Sequence, residues 1–219
     1  MKRALSLLLV GLAITVHARA DELVPLVTPL PGPMIVGTPV PIKVDNLEPP
    51  RSGKPPAFMV PATARNIALN KPVTSSDPAP LLGELEMVTD GDKDAAEGSF
   101  VELGKGTQWV QIDLGKTAEI NAVYLWHFHS QQRVYLGVVI QISDDPDFIS
   151  GVTTIYNNDN KNRSGTGVGK DSTYIETHEG RLLDAKGTKG RYVRLYSNGN
   201  SSTPGNHYIE VEVWGTPTP

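Results

Sequence analysis

Two short runs of this sequence gather side chains able to do chemistry. In Asp90-Gly91-Asp92-Lys93-Asp94 three carboxylates alternate around a glycine turn, a spacing that can converge oxygens on a hard cation. An EF-hand loop does not fit, because its sixth position is Ala95 and its twelfth is Val101, where glycine and glutamate are needed. In Trp126-His127-Phe128-His129, strand alternation puts His127 and His129 on one side and Trp126 and Phe128 on the other. Two such histidines hold zinc only with a third ligand. Nothing in the spacing of His178 and His207 supplies it, so the pair reads as hydrogen-bonding residues on a rim. Enzyme motifs are fragmentary. His178-Glu179 opens like a zincin without the second histidine, and Ser164 to Asp171 imitates a phosphate loop with Asp171 where a hydroxyl should bind magnesium. There is no G-x-S-x-G elbow and no cysteine nucleophile. Glu84, Glu86 and Glu102 could pair as glycosidase carboxylates, but sequence does not fix the separation that mechanism needs. The expectation is a binding protein, not an enzyme.

The elements that must position these residues are short strands. Val110, Ile112 and Leu114 alternate with Gln111 and Asp113; Val138, Ile140 and Ile142 alternate with Val139 and Gln141. Val193 and Leu195 flank Arg194, and Ile209, Val211 and Val213 flank Glu210 and Glu212. Period two in four runs predicts sheets with one buried face, and the Gly, Asn, Asp and Pro between them predict an antiparallel sandwich or barrel. Leu81 to Met87 suits one or two helical turns.

The N-terminus predicts the compartment. Lys2-Arg3, the apolar run Ala4 to Val16 and Ala18-Arg19-Ala20 form a signal peptide over residues 1–20, with cleavage before Asp21, so the expected location is secreted or periplasmic. Residues 21–64 are so rich in proline, from Pro25 to Pro61, that they read as a Pro-rich linker or N-terminal extension. No later run is long and apolar enough for a transmembrane anchor. The net charge of −4 argues against a nucleic-acid partner.

Three segments in order resemble the discoidin family, the coagulation factor 5/8 type C domains. They are Asn66-Ile67-Ala68-Leu69-Asn70-Lys71-Pro72-Val73; Thr89-Asp90-Gly91-Asp92 followed by Gln108-Trp109-Val110-Gln111-Ile112-Asp113-Leu114-Gly115; and Arg191-Tyr192-Val193-Arg194-Leu195 with Glu210-Val211-Glu212-Val213-Trp214-Gly215. Ser143-Asp144-Asp145 fits the family's turn. The resemblance implies an all-β, eight-stranded antiparallel jelly-roll-like β-sandwich of the galactose-binding-domain-like kind over residues 65–216, similar to carbohydrate-binding modules of family 32. It implies structural Ca²⁺ on Asp90, Asp92, Ser99 and Glu210, although the stretch leading to Ser99 departs from the family's pattern. It also implies ligand binding through loops at one end, where His129, Arg133, Tyr135, Asn158, Arg163, Asn198 and His207 supply the donors, acceptors and rings a sugar needs. The expected partner is a glycan or glycosylated surface. An adhesive or structural domain gripping a protein is the alternative, and a small secreted hydrolase a third.

Overall fold

The structure is a computed structural model that describes residues 22–38, 40–50, 53 and 55–218. The expected export signal and its cleavage point lie outside the described residues. Eleven strands and one 3-10 helix (Leu85–Thr89) occur among the described residues. They are β1 (Leu23–Pro25), β2 (Met59–Pro61), β3 (Arg65–Asn66), β4 (Val73–Ser75), β5 (Val101–Leu103), β6 (Gln108–Trp126), β7 (Val139–Ser143), β8 (Thr153–Asn157), β9 (Arg181–Ser197), β10 (Asn206–Tyr208) and β11 (Glu210–Pro217). The inventory exceeds the expected eight because β1 and β2 belong to the proline-rich segment and short strands flank the loops.

Two long strands organise the sandwich. The first half of β6 pairs with β4 through Val110–Ile112, and its second half pairs with β11 through Ala118–Trp126. β9 follows β6 along both halves and adds β7 through Tyr192–Tyr196; β7 then carries β8. All these pairings are antiparallel. The register of β6 on β9 breaks between Asp113 and Ala118, where Gly115 takes φ +86°, and again between Ile120 and Ala122, opposite Lys186 and Gly187 at φ 54° and 70°. Both strands therefore turn a corner there and pass from one layer to the other. β3 and the end of β11 close the corner end, while the starts of β7 and β11 and the ends of β6 and β9 reach the opposite, open end. Every candidate site residue lies on that open end.

The alternating residues behave as their pattern demands on the inner face. Val110, Ile112, Ile120, Leu125, Ile140, Ile142, Val193, Leu195, Val211 and Val213 are buried in one core, each contributing roughly 1.5–3 kcal/mol. The expectation of a solvated outer face fails in two places. β7 is buried on both sides, since the turn after it folds back: Gln111 and Arg194 both donate to the Pro146 carbonyl, and the Arg194 guanidinium lies 4.3 Å from Trp109 and 4.2 Å from Phe148. On β11, Glu210 and Glu212 are buried as well. Glu212 meets Lys93 Nζ at 2.6 Å and accepts from Thr28 Oγ1 and Trp214 Nε1 at 2.7 Å each.

Thr28 belongs to the segment expected as linker or extension, and the structure gives that segment a path along the domain. β1 pairs with β2. Val36 N–H then donates to Ser130 O, Glu48 N–H to Thr173 O, and Thr173 Oγ1 to Asp45 O. Arg181 makes two 2.9 Å bonds to the Glu48 carboxylate. Proline removes donors and fixes φ, so an extended strap that borrows the domain's hydrogen bonds is what such a composition can form. A free spacer is not what is found.

Candidate functional site

The loops of the open end divide the candidate residues into a buried group and an exposed one. β6 ends at Trp126, so the strand alternation expected for His127 and His129 stops one residue too early. His127 is fully buried, and its Nδ1–H donates to Glu176 Oε1 at 2.6 Å. Its ring stacks on Tyr135 at 4.1 Å, and the Tyr135 hydroxyl meets His207 Nδ1 at 2.8 Å. His207 Nε2 lies 3.5 Å from Glu102 Oε1. His129 donates through Nε2 to the Lys93 carbonyl at 3.0 Å. Arg133 spreads over the Phe128 ring at 4.6 Å and donates to Gln131.

His129, Arg133, Tyr135 and His207 were expected to face a ligand from the rim; all four are buried. The cause is the path of residues 127–137. Val134 and Leu136 exchange backbone hydrogen bonds with residues 198–201, and the strap closes over Ser130. Burial also sets their protonation. It lowers the pKa of His129 and, helped by Arg133 and His127, brings that of His207 down to about 4, so both rings are neutral at pH 7. Glu176, which sequence reasoning missed, anchors this cluster; its only signal was a carboxylate between Ile175 and Thr177, too common to single out. Asn158 is buried as well. Its Oδ1 accepts from Val138 N–H and its amide donates to Tyr156 Oη.

The exposed group surrounds a pocket of about 220 Å³ lined by Lys43, Asp45, Leu136, Asp159, Lys161 and Arg163, among others. One wall is the strap and the other is the loop after β8. Arg163 reaches Asn198 Oδ1 at 3.4 Å, so these two predicted residues are brought together and remain accessible. Gly137 at φ 62° floors the pocket; a Cβ there would sit 3.1 Å from Asn198 Cβ. The Asp159 carboxylate faces inward. Burial raises its pKa, but Ser164 N–H and Oγ–H both donate to Oδ2 at 2.8 Å, and its pKa ends below the usual value. The loop itself, Ser164 to Lys170, is a chain of turns with no helix behind it, as its composition indicated.

The acidic turn is arranged differently from the simple three-carboxylate reading. Asp92 N–H donates to Asp90 Oδ1 and Asp94 N–H to Asp92 Oδ1, so these carboxylates hold the turn. Among the described residues no group of three or more Asp, Glu or His side chains is gathered for a metal ion. Ser99 makes no hydrogen bond to Asp90, Asp92 or Glu210, lying instead in a turn closed by its N–H on Ala96 O. Glu210 carries an oxygen with no protein partner, Oε1. The residue is fully buried, and Oε2 accepts from Gly91 N–H at 3.0 Å. Burial, with Glu212 and Asp90 nearby, pushes its carboxyl up to about 9.

Comparison with known proteins places this arrangement. Residues 87–195 match the family model described as F5/F8 type C, NedA-like, galactose-binding domain. No curated protein matches the chain. Among solved structures, a family 89 glycoside hydrolase from Clostridium perfringens, in complex with GlcNAc-alpha-1,4-galactose, is 18% identical over 68% of this chain and 14% of that one, with a TM-score of 0.50. The likeness is one of fold, to a small part of a much longer chain. The CBM32 of AlyQ, in complex with 4,5-unsaturated mannuronic acid, is 23% identical over 65% of this chain and 92% of its own, at TM-score 0.47. A chitosan-binding module from a chitosanase/glucanase of Paenibacillus sp. IK-5 is 25% identical over 69% and 99%, at 0.46. No helix among the described residues is long and apolar enough to cross a membrane. With the family model spanning both corner-turning strands into β9, the chain carries a galactose-binding-like β-sandwich domain of the F5/F8 type C family.

Proposed function

We propose that this protein is an exported, non-catalytic module that binds a glycan in the pocket between the strap and the loop after β8. The observation that carries this reading is the open polar pocket at the loop end of a galactose-binding-like domain. Arg163 is the contact, its guanidinium presenting planar donors to paired hydroxyls, and Asn198, whose amide donates to Thr107 Oγ1, positions it through Oδ1. Asn158 and the His127–Glu176 cluster hold the loops from beneath. The test is a glycan array probed with the whole chain, followed by the same array with Arg163→Ala. Binding that Arg163→Ala weakens about tenfold or more supports the site; unchanged binding moves it elsewhere, and silence across the array removes the glycan reading.

Ca²⁺ stabilisation belongs to the same proposal. Glu210 would hold the ion beside the Asp90-Gly91 turn, with Asp90, Asp92 and Ser99 as the other residues the family pattern nominates. The ion would neutralise a buried carboxylate that is otherwise costly to ionise. One observation favours a protein partner as a second reading. The strap exposes Val27, Ile35, Val36 and Val40, and exposed apolar strips mark interaction surfaces.

A further inference from the structure

The pocket on the rim has a charge the rest of the chain does not. Lys43 from the strap, and Lys161 and Arg163 from the loop after β8, line it together, in a chain whose net charge is −4. Their charges are weakly committed. Lys43 has no hydrogen bond or ion pair among the described residues. Lys161 stands 3.8 Å from Asp45 Oδ2 with both side chains more than half exposed, a pair that contributes little in water. Arg163 has one long bond, to Asn198. The buried acid of the lining, Asp159, already accepts two hydrogen bonds from Ser164. The apolar side chains of the lining are Val44 and Leu136, with no aromatic ring. A neutral sugar draws much of its affinity from stacking its C–H face on such a ring; here that platform is missing, and charge must supply what stacking does not.

We infer that the pocket selects negatively charged sugars, those bearing a carboxylate or a sulfate, and that Lys43 makes the strap a specificity-determining part of the site. This rests on the reading of the pocket as the glycan site and deepens it. Arg163 would take the anionic group through its planar fork, while Lys43 and Lys161 add point charges from the two walls. Asp45, between them, limits how many anionic groups fit.

The experiment titrates the whole chain with three oligosaccharides of equal length: a neutral galactan, an oligogalacturonate and a sulfated galactan. Each is measured at low and high salt, and the galacturonate also as its methyl ester. The expected result is at least about tenfold tighter binding of an acidic oligosaccharide than of the neutral one. That preference should shrink in salt and vanish on esterification of the uronate. Which acidic ligand binds better identifies the carboxylate or the sulfate as the recognised group. Lys43→Gln and Lys161→Gln should each erode the preference, while Lys189→Gln, at the corner end, should leave it intact. Equal affinity for neutral and acidic ligands, with Arg163→Ala still weakening both, overturns charge selection and leaves the glycan site standing. Preference for acidic ligands unaffected by Lys43→Gln overturns the role of the strap. Absence of binding to all three, together with a silent array, overturns the site itself.

Discussion

The open end of the sandwich holds two sets of polar residues that look interchangeable in the sequence and do opposite things in the fold. His127, Tyr135, Glu176 and His207 form a buried cluster joined by the His127–Glu176 and Tyr135–His207 hydrogen bonds and the His127–Tyr135 stack. Lys43, Lys161 and Arg163 stand around an open pocket with weak commitments and free donors, and Asn198 supports Arg163 from beside it while its amide donates to Thr107 Oγ1. Burial is what separates them. In a low-dielectric interior, an unpaired polar atom costs about 1–3 kcal/mol, so the first set turns its hydrogen bonds on itself, leaving only His127 Nε2 and Glu176 Oε2 without a partner among the described residues. The second remains hydrated and available. A histidine near a loop is therefore support or contact according to the path of the chain around it.

Several measurements would break or sharpen this contrast. The largest effect is expected at the centre of the buried cluster. Glu176→Ala leaves His127 buried without its 2.6 Å partner, and removing one member of such a pair costs about 3–5 kcal/mol. At about 2–4 °C per kcal/mol for a domain of this size, the thermal midpoint should fall by on the order of 10 °C. Glycan retention measured well below that midpoint should survive. Retention lost while the fold is intact would make Glu176 a contact and erase the distinction.

Acid should find the same cluster. His207 has a folded pKa near 4 because it is buried with Arg133 and His127 close by, and Glu102 at 3.5 Å does not reverse this. The unfolded chain takes up a proton near 6.5 and the folded one does not. Stability is thus fully present above pH 6.5 and declines as pH falls towards 4, by about 3 kcal/mol in all. Denaturant melts of His207→Gln should show a shallower loss between pH 6.5 and 4 than the parent chain; parallel curves would place the titration elsewhere.

Calcium comes next. An ion at 100 times its dissociation constant stabilises by about 2.7 kcal/mol, so EDTA should lower the midpoint by several degrees. Asp90→Ala should remove that response and Asp94→Ala should not. Identical melts in EDTA and in millimolar calcium would refute the ion. The smallest effect on stability belongs to the rim. Arg163→Ala and Asn198→Ala should shift unfolding by no more than about 0.5 kcal/mol while weakening glycan binding about tenfold. A large loss of stability would show these side chains to be structural too.

How much of this was legible in the sequence depends on the range of the interaction that decides it. Alternation is local, so the inward residues of β6, β7, β9 and β11 were readable in their own segments. The corner at Gly115 was not, because Gly115 and Lys116 look like a hairpin end until Ala118 is seen to pair with Gly190. Glu212 read as solvent-facing because what covers it, Thr28 and Lys93, lies far away in the chain. The path of the strap along the domain was hidden for the same reason. Its prolines exclude helix and central strand, but they say nothing about acceptors such as Ser130 O and Thr173 O that its remaining N–H groups find. At the site, Arg163 and Asn198 were legible as polar loop residues. Lys43 was hidden in the proline-rich segment, and the burial of His129 and Arg133 was not readable because a loop's inward fold leaves no periodic trace.

The shared strands also govern when the domain can exist. β6 draws its pairing from β4 on one half and from β11, at the very end of the described chain, on the other. A nascent chain that has emerged only as far as β9 has the long hairpin but no β11 to shield its second half. Val123 and Leu125 then lie at an open sheet edge with their N–H and C=O groups free to find another molecule. Loop closure over such distances is slow, so the vulnerable interval is long. β11 acts as a latch: without Val211 and Val213 the second half of β6 has no outer partner, and a truncation that removes them should yield aggregate instead of a smaller binding module.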